Sequence, residues 1–81
     1  EHVYEQFVDA DERVAVRIYT SVVGQWARPI AESRIHVTVE DFQTGDIEVV
    51  GKINRTEGWA KRLASTTKHA VTMANQRLAQ R

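Results

Sequence analysis

Cysteine is absent from this chain of 81 residues, and proline occurs only once. Without cysteine there is no disulfide, no thiolate zinc site and no cysteine nucleophile, so the sequence does not report a redox compartment. No apolar run approaches the roughly 20 residues that span a membrane. The apolar fraction of 42% and the charged fraction of 27% are those of an ordinary globular domain. We therefore expect a single α+β domain covering residues 1–81.

Groups typical of catalysis or metal binding are equally scarce. The chain contains neither a nucleophile elbow nor a glycine-rich phosphate loop. His2, His36 and His69 lack the spacing of metal ligands on one element. We therefore expect no enzymatic activity, no catalytic residue, no cofactor and no metal site. No segment is typical of a signal peptide, and we expect a cytoplasmic protein.

Charge is balanced over the whole chain but not along it. Residues 1–50 contain ten acidic and four basic residues, a net charge of −6, whereas residues 51–81 contain one acidic and seven basic residues, a net charge of +6. Two interpretations stay open. Either an acidic sheet packs beside a basic helix within one chain, or the basic segment binds phosphate or an acidic partner.

Alternating apolar residues predict three β-strands, at residues 13–21, 34–42 and 46–53. Residues 2–10 fit either a helical face or a fourth strand, and the second alternative requires a turn at residues 9–12. The stretch between the first two strands has the composition of a long loop. The sheet therefore has three or four antiparallel strands.

The register of the second and third predicted strands follows from their apolar rows. Both rows share one face only if Val39 lies opposite Val49, and a three-residue turn with Gly45 in the left-handed conformation satisfies this requirement. The same register places Glu40 opposite Glu48 on the outer face of the sheet. Two facing carboxylates repel each other unless a cation neutralises them.

A long helix is predicted after the last strand. Asn54 or Thr56 is a suitable N-cap, and no helix breaker follows before Arg81. The resulting amphipathic helix, of roughly 24 residues and about 36 Å, packs on one face of the sheet and exceeds its width. We therefore expect its end to project and to be covered by a second copy of the chain or another partner. The expected core consists of Val14, Val16, Ile18, Ile35, Val37, Val39, Ile47, Val49, Ile53, Trp59, Leu63, Ala70 and Ala74.

The basic C-terminal segment is the feature that most favours a particular function. Clustered cations attract phosphate without regard to base sequence. We therefore predict a small non-catalytic protein that binds nucleic acid through its C-terminal helix and forms a homo-oligomer. The predicted nucleic-acid-binding residues are Lys52, Arg55, Lys61, Arg62, Lys68 and Arg77.

The alternative function is a protein-interaction, assembly, inhibitor or regulatory module that does not contact nucleic acid. Aromatic and apolar side chains of the outer sheet face and of the long loop then serve as interface anchors. Salt separates the two hypotheses, because phosphate-mediated binding weakens steeply as salt rises. The predicted interface residues are Tyr19, Trp26, Arg28, Phe42 and Val50.

Overall fold

The computed structural model describes residues 3–21 and 34–80. The strands form one antiparallel sheet in the order β1-β2-β3-β4, and α1 packs against one of its faces. This arrangement confirms the predicted α+β fold, with four strands rather than three. The elements in chain order are β1 (Val3–Phe7), β2 (Val14–Ser21), β3 (Arg34–Asp41), β4 (Ile47–Asn54) and α1 (Trp59–Ala79).

Residues 3–7 form a strand because the carboxylate of Asp9 closes a hairpin behind them. Asp9 Oδ1 accepts hydrogen bonds from the backbone N–H groups of Arg13 (3.0 Å) and Val14 (3.2 Å). Asp9 Oδ2 accepts a third from Arg13 Nε at 3.0 Å. Burial alone would raise the pKa of Asp9, but these hydrogen bonds outweigh it and hold the pKa below its ordinary value. Of the two alternatives for this segment, the hairpin is therefore confirmed.

The pairing of β3 with β4 follows the predicted register only as far as Val37. Val37 pairs with Gly51 as predicted, whereas Thr38 pairs with Val49, so Val50 is left without a partner and forms a β-bulge. Because side chains alternate between the two faces of a strand, a shift of one residue reverses the face of each residue beyond it. The first half of β4 therefore presents its side chains to the opposite side from the one predicted.

This reversal makes two predicted core residues wrong. Ile47 is 63% exposed and Val49 is 50% exposed. Val50, predicted on the outer face, is half-buried and packs against the core instead. Glu40 pairs with Ile47 rather than with Glu48. The predicted repulsion between the two glutamates is thereby removed.

The core lies between α1 and the strands β2, β3 and β4. From the helix, Ala70 and Ala74 are fully buried, and their small side chains let the helix approach the sheet closely. Ile18, Trp59 and Leu63 are half-buried and pack against the same cluster. The remaining predicted core residues are confirmed as buried: Val14, Val16, Ile35, Val37, Val39 and Ile53.

The helix begins behind Gly58, which has a left-handed φ of 78° and makes no side-chain cap. The predicted N-caps Asn54 and Thr56 are therefore wrong. Both residues take part in the turn before the helix, which the side chain of Arg62 holds. Arg62 Nη1 donates to the carbonyl oxygen of Glu57 (2.8 Å), and Nη2 donates to Asn54 O (3.3 Å) and Thr56 Oγ1 (2.8 Å).

α1 runs back along β4 rather than across the sheet. Thr66 faces Gly51 in the middle of β4, and Arg77 Nη2 lies 3.3 Å from Glu48 Oε1 near the start of that strand. Leu78, in the last turn, still packs against the core. The predicted projecting helix end is therefore wrong, because α1 runs along the strands rather than across the width of the sheet. Within residues 3–21 and 34–80, no helix has the length and apolar character needed to cross a membrane.

We expect Gly51→Ala to lower the free energy of unfolding by about 1–3 kcal/mol. A Cβ atom at this position would lie 2.8 Å from Thr66 Cγ2, which is closer than the two carbons can pack. Urea unfolding followed by circular dichroism measures the loss. Thr66→Ser removes that methyl group, so the double variant regains most of the stability. A double variant no more stable than Gly51→Ala would contradict this account of the helix–strand contact.

Candidate nucleic-acid interface

The antiparallel order places the two short turns, residues 8–13 and 42–46, at the same end of the sheet. The backbone N–H of Phe42 donates to Arg13 O at 2.7 Å and joins them. We call this the acidic end, after Asp9, Asp11, Glu12, Asp41, Asp46 and Glu48. The start of β3, the end of β4 and the first turns of α1 lie at the opposite end. We call this the basic end, after Arg34, Lys52, Arg55, Lys61 and Arg62.

Arg77 lies apart from the other predicted nucleic-acid-binding residues, within a cluster of carboxylates at the acidic end. Its guanidinium nitrogens are 3.3 Å from Glu48, 3.6 Å from Asp46 and 4.0 Å from Asp41. Asp41 is only 2% exposed, and its Oδ1 also accepts hydrogen bonds from two backbone N–H groups of the turn. A buried carboxylate needs such partners. Arg77 therefore binds the helix to the β3–β4 turn.

The cations of the basic end have no carboxylate partner among the described residues. Arg62 donates only to carbonyl and hydroxyl oxygens. The guanidinium carbon of Arg55 lies 5.1 Å from the centroid of the Trp59 ring, a cation–π contact that leaves the charge uncompensated. The exposed side chains at this end include Arg34, Lys52 and Lys61. Glu57, in the turn before α1, is the acidic residue at this end of the described chain, and it forms no ion pair with the described cations. The described part of the basic end therefore carries an excess of positive charge.

The outer side of α1 extends this positive surface. Lys61 and Lys68 are both exposed and lie seven residues apart on one helical face, a separation of about 10 Å. No acidic residue occurs within Trp59–Ala79. Ser65 lies between the two lysines on the helix surface, four residues after the first and three before the second. The outer side of α1 thus offers cations and hydroxyl groups without a competing carboxylate.

The face of the sheet opposite α1, here called the open face, carries an aromatic pair near the basic end. Tyr19, His36 and Lys52 occupy one cross-strand row. The rings of Tyr19 and His36 are stacked, with centroids 4.9 Å apart. Burial lowers the pKa of His36 below its ordinary value, and the charges of Lys52 and Arg34 lower it further. The pKa of His36 is therefore sensitive to the positive potential of the basic end.

The two glutamates of the open face share one arginine. Arg17 Nη1 donates to Glu40 Oε2 at 2.6 Å, and Arg17 Nε lies 3.4 Å from Glu5 Oε2. Glu48, expected on this face, lies instead beside Arg77 on the helix side. Without Glu48, the charged group in the middle of this face consists of Glu5, Glu40 and Arg17, with a net charge of −1. The acidic barrier to a nucleic-acid backbone is therefore smaller than the predicted register implies.

The half of the open face toward the acidic end is apolar. The rings of Phe7 and Phe42 lie 5.6 Å apart, and Phe42 is 49% exposed. Ile47 and Val49 are the exposed residues of the shifted half of β4. We call these four residues the apolar patch. Tyr19 and Phe42, both predicted at an interface, therefore lie in opposite halves of the open face, and the predicted Trp26 and Arg28 lie outside the described residues.

A groove of about 430 Å³ separates the second half of β4 from the first half of α1, at the basic end. Two cations, three hydroxyl groups and one amide belong to its lining residues, and none of these residues is acidic. Lys52 and Arg62 are both expected from the sequence. Only Arg62 lies on the helix side of the groove, because the side chain of Lys52 belongs to the open-face row with Tyr19 and His36. The lining residues are Gly51, Lys52, Ile53, Asn54, Thr56, Arg62, Ser65 and Thr66.

Arg34 is the exposed cation of the basic end that the sequence prediction missed. It lies in the acidic half of the sequence, and only its pairing with Asn54 across the sheet places it beside the basic segment. The sequence did contain a signal for this position, because Arg34 is the first residue of a predicted strand that pairs with the strand leading into the basic segment. Among residues 3–21 and 34–80, no group of three or more side chains has the arrangement of a metal site.

Comparison of the chain with protein-family models, with curated proteins and with solved structures found no match. Its function therefore has to be inferred from its own geometry and charges.

We expect Lys52→Ala to raise the pKa of His36 toward 6.5, because it removes one of the two cations that disfavour the imidazolium. An NMR titration of the imidazole protons measures the pKa of His36.

The lowered pKa also affects stability, because the unfolded chain takes up the proton before the folded chain does as pH falls through 6.5. The free energy of unfolding therefore decreases there, and it decreases less in the variant. Lys61→Ala, on the outer side of α1, is the control, and equal effects of both variants would contradict the assignment.

Proposed function

We propose that this chain is a small, non-catalytic, cytoplasmic protein that binds nucleic acid through its basic end and the outer side of α1. The observation that supports this proposal is the unequal neutralisation of the two ends. At the acidic end, Arg13 and Arg77 are both ion-paired with carboxylates. At the basic end, the described cations have no carboxylate partner. Uncompensated cations release condensed counterions when they contact phosphates, and this release favours binding.

The overall charge balance strengthens this reasoning. A net charge of zero gives no general attraction to a polyanion, so binding requires a local surface. The acidic turns lie at the far end of the sheet and repel phosphate there. A nucleic acid is therefore oriented by the protein, with its backbone at the basic end and away from the acidic end. Screening at physiological salt reaches about 8 Å, so the two ends act independently.

We expect the double variant Lys61→Gln/Lys68→Gln to bind a mixed-sequence oligonucleotide about tenfold more weakly, with the slope of log K against log salt reduced by about 2. Both side chains are exposed and have no partner in the described chain, so folding is unaffected. Arg62 is left unchanged because it holds the turn before α1. Fluorescence anisotropy over a range of salt concentrations measures both quantities.

The matched control is Gln43→Glu/Gln76→Glu, which also lowers the net charge by 2 but at exposed positions near the acidic end. We expect this control to change the affinity by less than about threefold, because the added charges are screened from the basic end. Equal losses in the two double variants would mean that only net charge matters. That result would contradict a binding surface at the basic end.

A protein interface, including a homo-oligomer, is the second candidate function, and the apolar patch favours it. Three of its four side chains are about half exposed or more, namely Phe42, Ile47 and Val49. Burying such side chains contributes roughly 25 cal/mol for each Å² removed from water. An interface on this patch lies on a different part of the molecule from the basic end. The two proposed activities are therefore compatible in one protein.

We expect Val49→Lys to shift the mass of a homo-oligomer toward that of the 9.2 kDa chain, because it places a charge within the apolar patch. Sedimentation velocity at two salt concentrations measures the mass. Lys61→Gln is the control and leaves the mass unchanged. A monomeric unaltered protein, or an oligomer that Val49→Lys does not weaken, would rule out this patch as the contact between copies.

A further inference from the structure

We infer that the groove between β4 and α1 binds one backbone phosphate of the nucleic acid, an inference that rests on the proposed function and assigns its central contact. The basic end as a whole gives only a diffuse attraction. At that end the groove is lined by Arg62 and by the hydroxyl-bearing residues Thr56, Ser65 and Thr66, and none of its lining residues is acidic. A phosphodiester carries one negative charge and accepts hydrogen bonds only, so this combination matches its chemistry.

Arg62 is the preorganised cation of the groove. Its two terminal nitrogens are held by Glu57 O, Asn54 O and Thr56 Oγ1 at 2.8–3.3 Å. These acceptors carry no net charge, so they fix the guanidinium without cancelling its positive charge. A guanidinium has five N–H donors, and the three hydrogen bonds leave two for a ligand. A side chain already held in position loses little conformational entropy when a phosphate binds.

The hydroxyl groups of the groove add neutral donors on the helix side. Ser65 is exposed, and its hydroxyl has no hydrogen-bond partner among the described residues. It lies next to Lys61 and Lys68 on the helix surface, so a chain of phosphates leaving the groove passes directly onto these lysines. Gly51 contributes to the same geometry, because its missing side chain lets Thr66 approach β4. The groove thus continues into the positive outer side of α1.

The volume of the groove is compatible with such a ligand. The groove is open to solvent and has a volume of about 430 Å³, well above the roughly 30 Å³ that one water molecule occupies in the liquid. A single phosphate with part of its hydration shell fits into this space. The bases of the nucleic acid stay outside the groove. Binding is therefore independent of base sequence at this site. Specificity, where it exists, comes from contacts outside the groove.

Asn54→Asp tests the site, because it adds a carboxylate at a residue that lines the groove, with almost no change in shape and away from Lys61 and Lys68. Gln43→Glu is the control, since it also replaces a neutral amide by a carboxylate, at an exposed position of the β3–β4 turn at the acidic end. The probe is an oligonucleotide with 5′-hydroxyl ends, so that all its phosphates are diesters. We expect Asn54→Asp to weaken binding about tenfold and Gln43→Glu to weaken it less than threefold. Circular dichroism verifies that both variants are folded.

NMR amide shifts locate the ligand on the unaltered protein. We expect the oligonucleotide to shift the amides of Gly51, Thr56 and Ser65, and inorganic phosphate to shift the same amides at higher concentration. Shifts with inorganic phosphate but none with the oligonucleotide would overturn the assignment to a backbone phosphate. Salt-sensitive binding that Asn54→Asp and Gln43→Glu weaken equally would overturn the groove as a phosphate site and leave the proposed function intact. Absence of any oligonucleotide binding at low salt would overturn both.

Discussion

The close approach of α1 to the edge strand β4 is the constraint on which the rest of the structure depends. It is made at Gly51 and Thr66, where a side chain on the strand would collide with the helix. The bulge at Val50 comes directly before this contact and reverses the faces of the sheet to which the side chains of the first half of β4 point. Glu48 thereby reaches Arg77, while the apolar residues beside Glu48 are left exposed. The contact at Gly51 fixes how closely the helix lies beside β4, and the adjacent bulge determines which residues of β4 are exposed in the apolar patch.

The helix direction in turn separates the charges. Because α1 runs back along β4, its basic first half lies beside the end of that strand, and Arg77 reaches the acidic turns. The intramolecular pairing of acidic sheet and basic helix, one of the two interpretations of the sequence, is therefore found, among the described residues, only at the acidic end. The other described cations of α1 have no carboxylate partner, which is the basis of the proposed binding surface. A chain with zero net charge acquires in this way one surface that attracts polyanions and one that repels them.

Periodic patterns predicted the parts of the fold that depend on local sequence. The strands, the long helix and most of the core follow from alternating and helical spacing, and Gly45 adopts the expected left-handed conformation with a φ of 83°. The bulge was not predictable, because Val49 and Val50 are equally apolar and both registers bury one of them. The roles of Arg62 and Arg77 were not predictable either. Only the packed helix shows that Arg62 hydrogen-bonds to uncharged oxygens of the turn before α1, whereas Arg77 pairs with carboxylates.

The most direct test of a nucleic-acid-binding surface at the basic end is the affinity of the unaltered protein for a mixed pool of short oligonucleotides as a function of salt. The account predicts a linear decrease of log K with log salt, with a slope that corresponds to several phosphate contacts. It also predicts that the solution mass rises when the pool is added at low salt and returns to its starting value at high salt. A solution mass that does not change when the oligonucleotides are added, at any salt concentration, would contradict nucleic-acid binding. A protein interface at the apolar patch would then be the better-supported function.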